Sequence, residues 1–505
     1  MSHPESRFWL DVAVGRILEA QPAGEIIVSS GISPSASYHI GHYPEVLLAE
    51  ALAWGLRQQG RSVRHLHVVD NMDPLRKRYD FLPEEYEQYV GWPICLVPSP
   101  YDEGTYADYF YYQFEQYYEP MQIAPDAIVR SYEDLYRSGV MAEQIERVLE
   151  RLPEVKQIFA EFEREVPADW TPIQVLGEDN VFYNARPDTW DKSARTIEGV
   201  SYVDGGAKLN WRLDWPARWS ALEVDVEPFN VHEHGAAGGS YDTGVEFARR
   251  IFDTEPPIPG ARYQNIHLAG DPKKMSASKG NVITPEQALQ LLPPSILRYF
   301  IVKSRPEKPR DFDPYDKLVH LIDEYKQVEA AVAAGEEHEF QEAYRFATVG
   351  DRITVVPFSH LAAVYQAALG DIDTMVEILA RTGYEVDREA LAAEVGYVAH
   401  WLEHYASDNV RFRLQDELSD TSALTEEQIA FLADLADSVA GQEELEAEWV
   451  HQTIHEHKDR HGLSARQAFG AVYWMLFGKQ SGPKLGWYLA TLDRDWLVMR
   501  LRLQA

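Results

Sequence analysis

Hydrophobic and polar positions near the start of the chain alternate between two periods. Ile26, Ile27 and Val28 form an unbroken apolar run that predicts a strand over Glu25–Ser30. A helical repeat follows over Glu45–Gln59, and Val63–Val69 reads as a second strand. A strand–helix–strand unit of this spacing implies a parallel sheet. The same alternation resumes with a strand at Val224–Phe229, a helix from Asp242 to Phe252 and a strand at Tyr263–Ala269. Between these blocks, residues 84–221 read as an insertion. It is rich in tyrosine (Tyr106, Tyr109, Tyr111, Tyr112, Tyr117, Tyr118), helical through Ser131–Val166, and irregular and polar over Pro172–Thr196. The helical spacing of the tyrosines favours a packed face over base stacking. Beyond about Arg310 the pattern is helical to the end, with runs at Leu318–Ala334, Leu361–Arg381, Arg388–Tyr405, Glu426–Ala447 and Ala465–Phe477. Ser304 to Arg310, with two prolines, breaks the pattern and marks a boundary near residues 304–312. The expected fold is α/β: a parallel-sheet domain at 1–83 plus 222–309, an insertion at 84–221, and an all-α domain at 310–505.

A chain of 505 residues exceeds what one core usually accommodates, which agrees with this division. Its single cysteine, Cys95, excludes a disulfide framework and any thiolate-based zinc knuckle. The first residues lack a basic segment followed by an apolar run, and no stretch approaches 18 consecutive apolar residues. A cytoplasmic protein without a membrane partner is expected. The formal charge of −34 makes long-range attraction to nucleic acid weak. Any RNA contact then needs Lys and Arg gathered on one local face.

Two short segments carry the candidate chemistry. His39-Ile40-Gly41-His42 stands where the first apolar strand runs through small residues into a helix. Lys274-Met275-Ser276-Ala277-Ser278-Lys279 follows the apolar run at Ile266–Ala269. A strand that feeds a helix through a small-residue loop presents backbone N–H groups and a positive dipole end to phosphate. Two imidazoles on one loop and lysines on the other can surround a triphosphate, favouring the charge that builds as an oxygen attacks the α-phosphate. Taken singly, the first segment reads more readily as surface histidines at a helix start, and the second, though more distinctive, has a mobile basic loop as its alternative. Together they point to nucleotidyl transfer from ATP.

The pair resembles the two nucleotide-binding motifs of class I aminoacyl-tRNA synthetases, with Ala277 where many members carry a second lysine. Within that class the chain is most similar to the class I type of lysyl-tRNA synthetase. The resemblance is carried by Ser30 to Ser35, Asp73 to Lys77, Gly206 to Leu209, the block from Trp211 to Trp219, Glu227-Pro228-Phe229, Gly238 to Gly244 and Gly482 to Gly486. It implies a Rossmann-type catalytic domain, a connective insertion and a helical domain that reads the anticodon. Three departures stand out. Asn180–Arg195 lacks the cysteine-rich element of many members, so no zinc is expected there and no metal ligands are assigned. His232-Glu233-His234 is one residue longer than its counterpart, and Pro44 replaces a common basic residue.

For the site, the resemblance implies that His39, His42, Lys274 and Lys279 stabilise the reacting phosphates, while Gly41, Met275, Ser276, Ser278, Gly238 and Asp242 contact ATP. Gly31 and Ser33, just before the first motif, are candidates to bind the amino acid's α-ammonium or carboxylate, and the resemblance implies Trp211 and His234 as walls of its side-chain pocket. The indoles of Trp215 and Trp219 read as core instead, and Asp242 reads equally as a helix cap. Asp70 and Asp73 read as loop-ordering groups or as a cation's partners. Lysine, tRNA(Lys) and ATP with Mg²⁺ are the implied partners, with no DNA, for a chain acting as a monomer. Two other readings stay open: a class I synthetase for another amino acid such as glutamate, and a non-catalytic RNA-binding descendant of a synthetase.

Overall fold

Ile26–Ile32 is buried on both faces because it lies at the centre of a five-stranded parallel sheet. The strand order is Ile258–Tyr263, Val226–Asn230, Ile26–Ile32, Val63–Val69 and Ala127–Arg130. Ile26–Ile32 pairs with Val63–Val69 in unbroken register from Ile26 opposite Val63 to Ile32 opposite Val69. This computed structural model describes residues 8–504 except 22, 165, 167–169, 271–274, 276–281, 413, 416, 419 and 481–484. The crossover helix Tyr43–Gln58 carries Pro44 in its first turn, where a missing N–H costs nothing, and buries Val46, Leu47, Leu48, Leu52 and Leu56. From the central strand the chain proceeds outward on one side, then returns to add Val226–Asn230 on the other. That reversal opens a crevice at the carboxyl ends of the two strands, the place where such sheets bind ligands.

Several segments differ from the pattern-based expectation. Ala127–Arg130 lies inside the 84–221 segment yet pairs with Val63–Val69 at the sheet edge. Pro172–Thr196, expected to be irregular, contains Ile173–Leu176 and Phe182–Asn184, which form a small antiparallel sheet with Ala207–Leu209. Tyr263–Ala269 is not one strand. Ile258–Tyr263 closes the main sheet, whereas Ile266–Leu268 pairs with Arg310–Phe312 in a separate two-stranded parallel sheet. The break falls at Gln264 and Asn265, whose side chains bond to His232 and Asn230.

The chain divides into two compact units. One takes in the chain up to Ala288 with Leu297–Phe312 and Glu339–Val349; the other comprises Leu289–Ile296, Asp313–His338 and the chain from Gly350 onward. The second unit is helical. Leu361–Arg381, expected as one helix, is two, Phe358–Ala367 and Ile372–Arg381, separated at Leu369 and Gly370, both with positive φ. Glu426–Ala447 likewise ends at Ala440, before Ala447–Arg460 begins. Lys326 and Glu394 form a buried ion pair in this unit, with Glu394 also accepting from the Thr354 amide at 2.9 Å. Among the described residues no helix is long and apolar enough to cross a membrane.

Candidate active site

The crevice is a cleft of about 780 Å³, a volume typical of small-molecule sites. Gly31 and Ser33, at and just beyond the end of the central strand, line it with His39, Gly41 and His42. His39 caps the short turn before the Tyr43–Gln58 helix: its Nδ1 accepts from the Gly41 amide at 3.1 Å. In the neutral ring, an accepting Nδ1 places the proton on Nε2. The His39 and His42 rings lie 4.1 Å apart, and His42 meets the edge of Tyr38, which stacks on Phe114. A Cβ at Gly41 would come within 2.7 Å of His39 Nδ1 and 3.5 Å of Met275 Cε. Met275 is buried, and the Ile40 amide donates to the Ile283 carbonyl at 3.0 Å. Met275, the one described residue of the second motif, thus lies against the first. Lys274, Ser276, Ser278 and Lys279 lie outside the described residues.

A half-buried carboxylate, a buried one and aromatic rings build another part of the cleft. Glu45, near the start of the Tyr43–Gln58 helix, accepts from the Gly31 amide at 3.2 Å and from the Tyr263 hydroxyl. Burial pushes its carboxyl up to about 8, opposed by the Tyr263 bond and reinforced by the charge of Glu227. Glu227 accepts from both indole N–H groups, Trp215 at 3.2 Å and Trp219, and from Ser29 Oγ at 3.3 Å. Burial raises its carboxyl too. The expectation that Trp215 and Trp219 are mere core is therefore incomplete: both line the cleft and fix a carboxylate there. Trp215 packs against the His234 ring at 4.7 Å, and His234 Nδ1 is 3.0 Å from Ser240 Oγ. Trp211 lines the cleft half-exposed, its ring 4.6 Å from the Arg212 guanidinium.

Gly238 and Asp242 are not among the cleft's lining residues. Asp242 accepts from the Gly238 amide at 2.8 Å, tying down the loop at the start of Ser240–Arg250. That bond fits the helix-start role that the sequence offered for Asp242 beside a nucleotide contact. Asp70 and Asp73 do line the cleft but are committed to cations: Asp70 to Arg218 at 2.6 Å, Asp73 to Lys208 at 2.7 Å. Burial favours the neutral acid at Asp70, yet Arg218 and Lys208 together hold it below the usual carboxylate range. Arg218 also pairs with Asp214, which accepts from Tyr136. His232 and His234 have different partners, Gln264 and Ser240, which fits a hydrogen-bonded loop.

Sequence reasoning missed Glu45, Glu227, Tyr263 and Arg218. The sequence carried little signal for them: Glu45 reads as a helix-start acid, and Glu227 as the third of the alternating acids Glu223, Asp225 and Glu227. Such acids are costly to bury without a purpose.

Residues 7–351 match the family described as "tRNA synthetases class I (K)", and residues 398–505 match the "Anticodon binding domain". A lysine–tRNA ligase from Archaeoglobus fulgidus is 35% identical over 98% of this chain and 99% of its own length. The lysine–tRNA ligase 1 of Methanosarcina acetivorans is 34% identical over 98% of each. One from Thermoplasma volcanium is 32% identical, again over 98% of each. With a sheet crevice holding the histidine loop, and relatives matched from end to end, the chain belongs to the class I tRNA synthetase family, in its lysine branch.

Proposed function

We propose that the cleft joins lysine to ATP and passes the product to tRNA(Lys). One oxygen of the lysine carboxylate attacks the α-phosphorus of magnesium-bound ATP, the bond to the β-phosphate oxygen breaks, and pyrophosphate leaves. The terminal ribose hydroxyl of tRNA then attacks the carbonyl of lysyl-adenylate, giving up its proton as AMP departs. Neither step needs a covalent link to the protein, so positioning and charge stabilisation supply the acceleration.

His39 and His42 donate from their rings to phosphate oxygens, and Gly41 lets the nucleotide approach the backbone. Lys274 and Lys279 neutralise the departing pyrophosphate, with Met275, Ser276 and Ser278 shaping their loop. Gly31 and Ser33 hold the α-ammonium and carboxylate, and Trp211 and His234 wall the side-chain pocket. Glu45 receives the ε-ammonium, giving up its own proton as the cation arrives, and nearby rings cover the methylenes. The helical segment 398–505 reads the anticodon, and the chain acts as a monomer in the cytoplasm.

One observation carries the choice of lysine. The cleft that bears the histidine loop also holds Glu45, Glu227 and Glu233, while Arg218 is spent on Asp70 and Asp214. That charge pattern suits an ammonium and repels the side-chain carboxylate of glutamate. Amino-acid-dependent ATP–pyrophosphate exchange across the twenty amino acids tests it. Lysine is expected to give the dominant signal, and Lys274→Ala to cut it by orders of magnitude without loss of fold. A dominant glutamate signal, or no exchange with lysine, would overturn the reading.

A further inference from the structure

Asp434 and Ser438 lie one turn apart on the helix Glu426–Ala440. His457 lies on the next helix, Ala447–Arg460, with His461 one turn on at its end. The two helices share the core of the terminal segment through Phe431, Leu435, Val439, Val450 and Ile454. Two polar rungs cross between them: Ser438 Oγ to His457 Nε2 at 2.8 Å, and Asp434 Oδ2 to His461 Nε2 at 2.8 Å. One ligand atom each from Asp434, His457 and His461 lie within 4.8 Å of one another. Three ligands around a tetrahedral ion sit roughly 3.3 Å apart, so closure needs side-chain shifts of about an ångström.

The spot these acceptors face already draws a cation. The Arg460 guanidinium reaches His457 Nδ1 at 3.2 Å and Asp434 Oδ2 at 3.9 Å, although its side chain is 61% exposed. Such a group can swing into water and leave a carboxylate and two imidazoles for another cation. His457 is buried. Histidines four apart along a helix can share one ion, and helical bundles build metal centres from side chains on facing helices.

We infer that Asp434, His457 and His461 form a binding site for a divalent transition metal of the zinc type, which Arg460 closes when no metal is bound. A bound ion displaces the proton between His461 and Asp434, takes water as its fourth ligand and ties the two helices together. The set contains no thiolate, so it is separate from the cysteine-based element missing from Asn180–Arg195.

The test uses the full chain stripped with chelator, Zn²⁺ as the probe, a competing chromophoric chelator to read affinity, and circular dichroism to read fold and melting. One equivalent is expected to bind with a dissociation constant in the micromolar range or tighter and to raise the melting temperature. Asp434→Asn and His461→Gln should each weaken binding at least tenfold and abolish that rise. Arg460→Gln should bind equally or more tightly, and the double change His451→Gln with His455→Gln should leave affinity unchanged. The inference fails if wild type shows no saturable binding, if folded Asp434→Asn and His461→Gln bind as wild type does, or if affinity follows His451 and His455 instead.

Discussion

Glu45 shows how one side chain ties the site to the energetics of the whole domain. Its carboxyl titrates near 8 when folded, against an ordinary value of 4.5. The folded state therefore holds a proton that the unfolded chain has already lost. Its contribution to stability is full below the ordinary value, declines as pH rises above it, and is gone above about 8. Glu45→Gln cannot ionise and escapes this loss. Urea unfolding between about pH 5 and pH 8.5 is expected to show the variant gaining on wild type by a few kcal/mol in total, since a tenfold difference in proton affinity between folded and unfolded chains is worth about 1.4 kcal/mol. Parallel pH profiles would contradict the assignment. The chemistry of Glu45 was not legible in the sequence, because a glutamate at the start of a helix reads as a solvated, dipole-favoured group. Only the depth of the strand end beneath it reveals the burial.

The helices Trp211–Ala221 and Ser240–Arg250 meet beneath the cleft where Gly244 faces Trp219. A Cβ on Gly244 would lie 2.8 Å from Trp219 Cη2, and the indole is held by its N–H bond to Glu227. Gly244→Ala should therefore destabilise the protein by about 1–3 kcal/mol in thermal or urea unfolding. Were the helices free to separate, alanine would instead stabilise by up to about 1 kcal/mol through helix propensity. The sign decides between them. At this scale the sequence was a good guide where periodicity was long: Val63–Val69 and Ala465–Phe477 stand as expected. It failed where polar side chains turn the backbone. Gln264 and Asn265 reach toward His232 and Asn230 and divide one apolar run between two sheets. Asp371 caps a new helix through the Thr374 amide at 2.8 Å and divides another. Ala127–Arg130 was missed because four residues show no period of their own; only the edge of Val63–Val69 makes them a strand.

Across the molecule as a whole, Gly41 and Met275 are separated by more than two hundred residues, yet they meet beside the carboxyl end of the central strand. A second contact close by, the Ile40 amide on the Ile283 carbonyl, holds the chain beyond the second motif against the histidine loop. The histidine loop was legible from its local signature, whereas the acidic pocket was not, because its members come from distant segments: Glu45, Glu227 and Tyr263. The formal charge of −34 carries no information about this cleft, whose chemistry is set by a few buried groups. A crystal structure of the full chain with a non-hydrolysable lysyl-adenylate analogue puts the proposed arrangement to its sharpest test. The phosphate mimic is expected against His39 and His42, with the ε-ammonium within hydrogen-bonding distance of Glu45. An analogue bound with its ammonium away from Glu45, or bound outside the cleft, would contradict it.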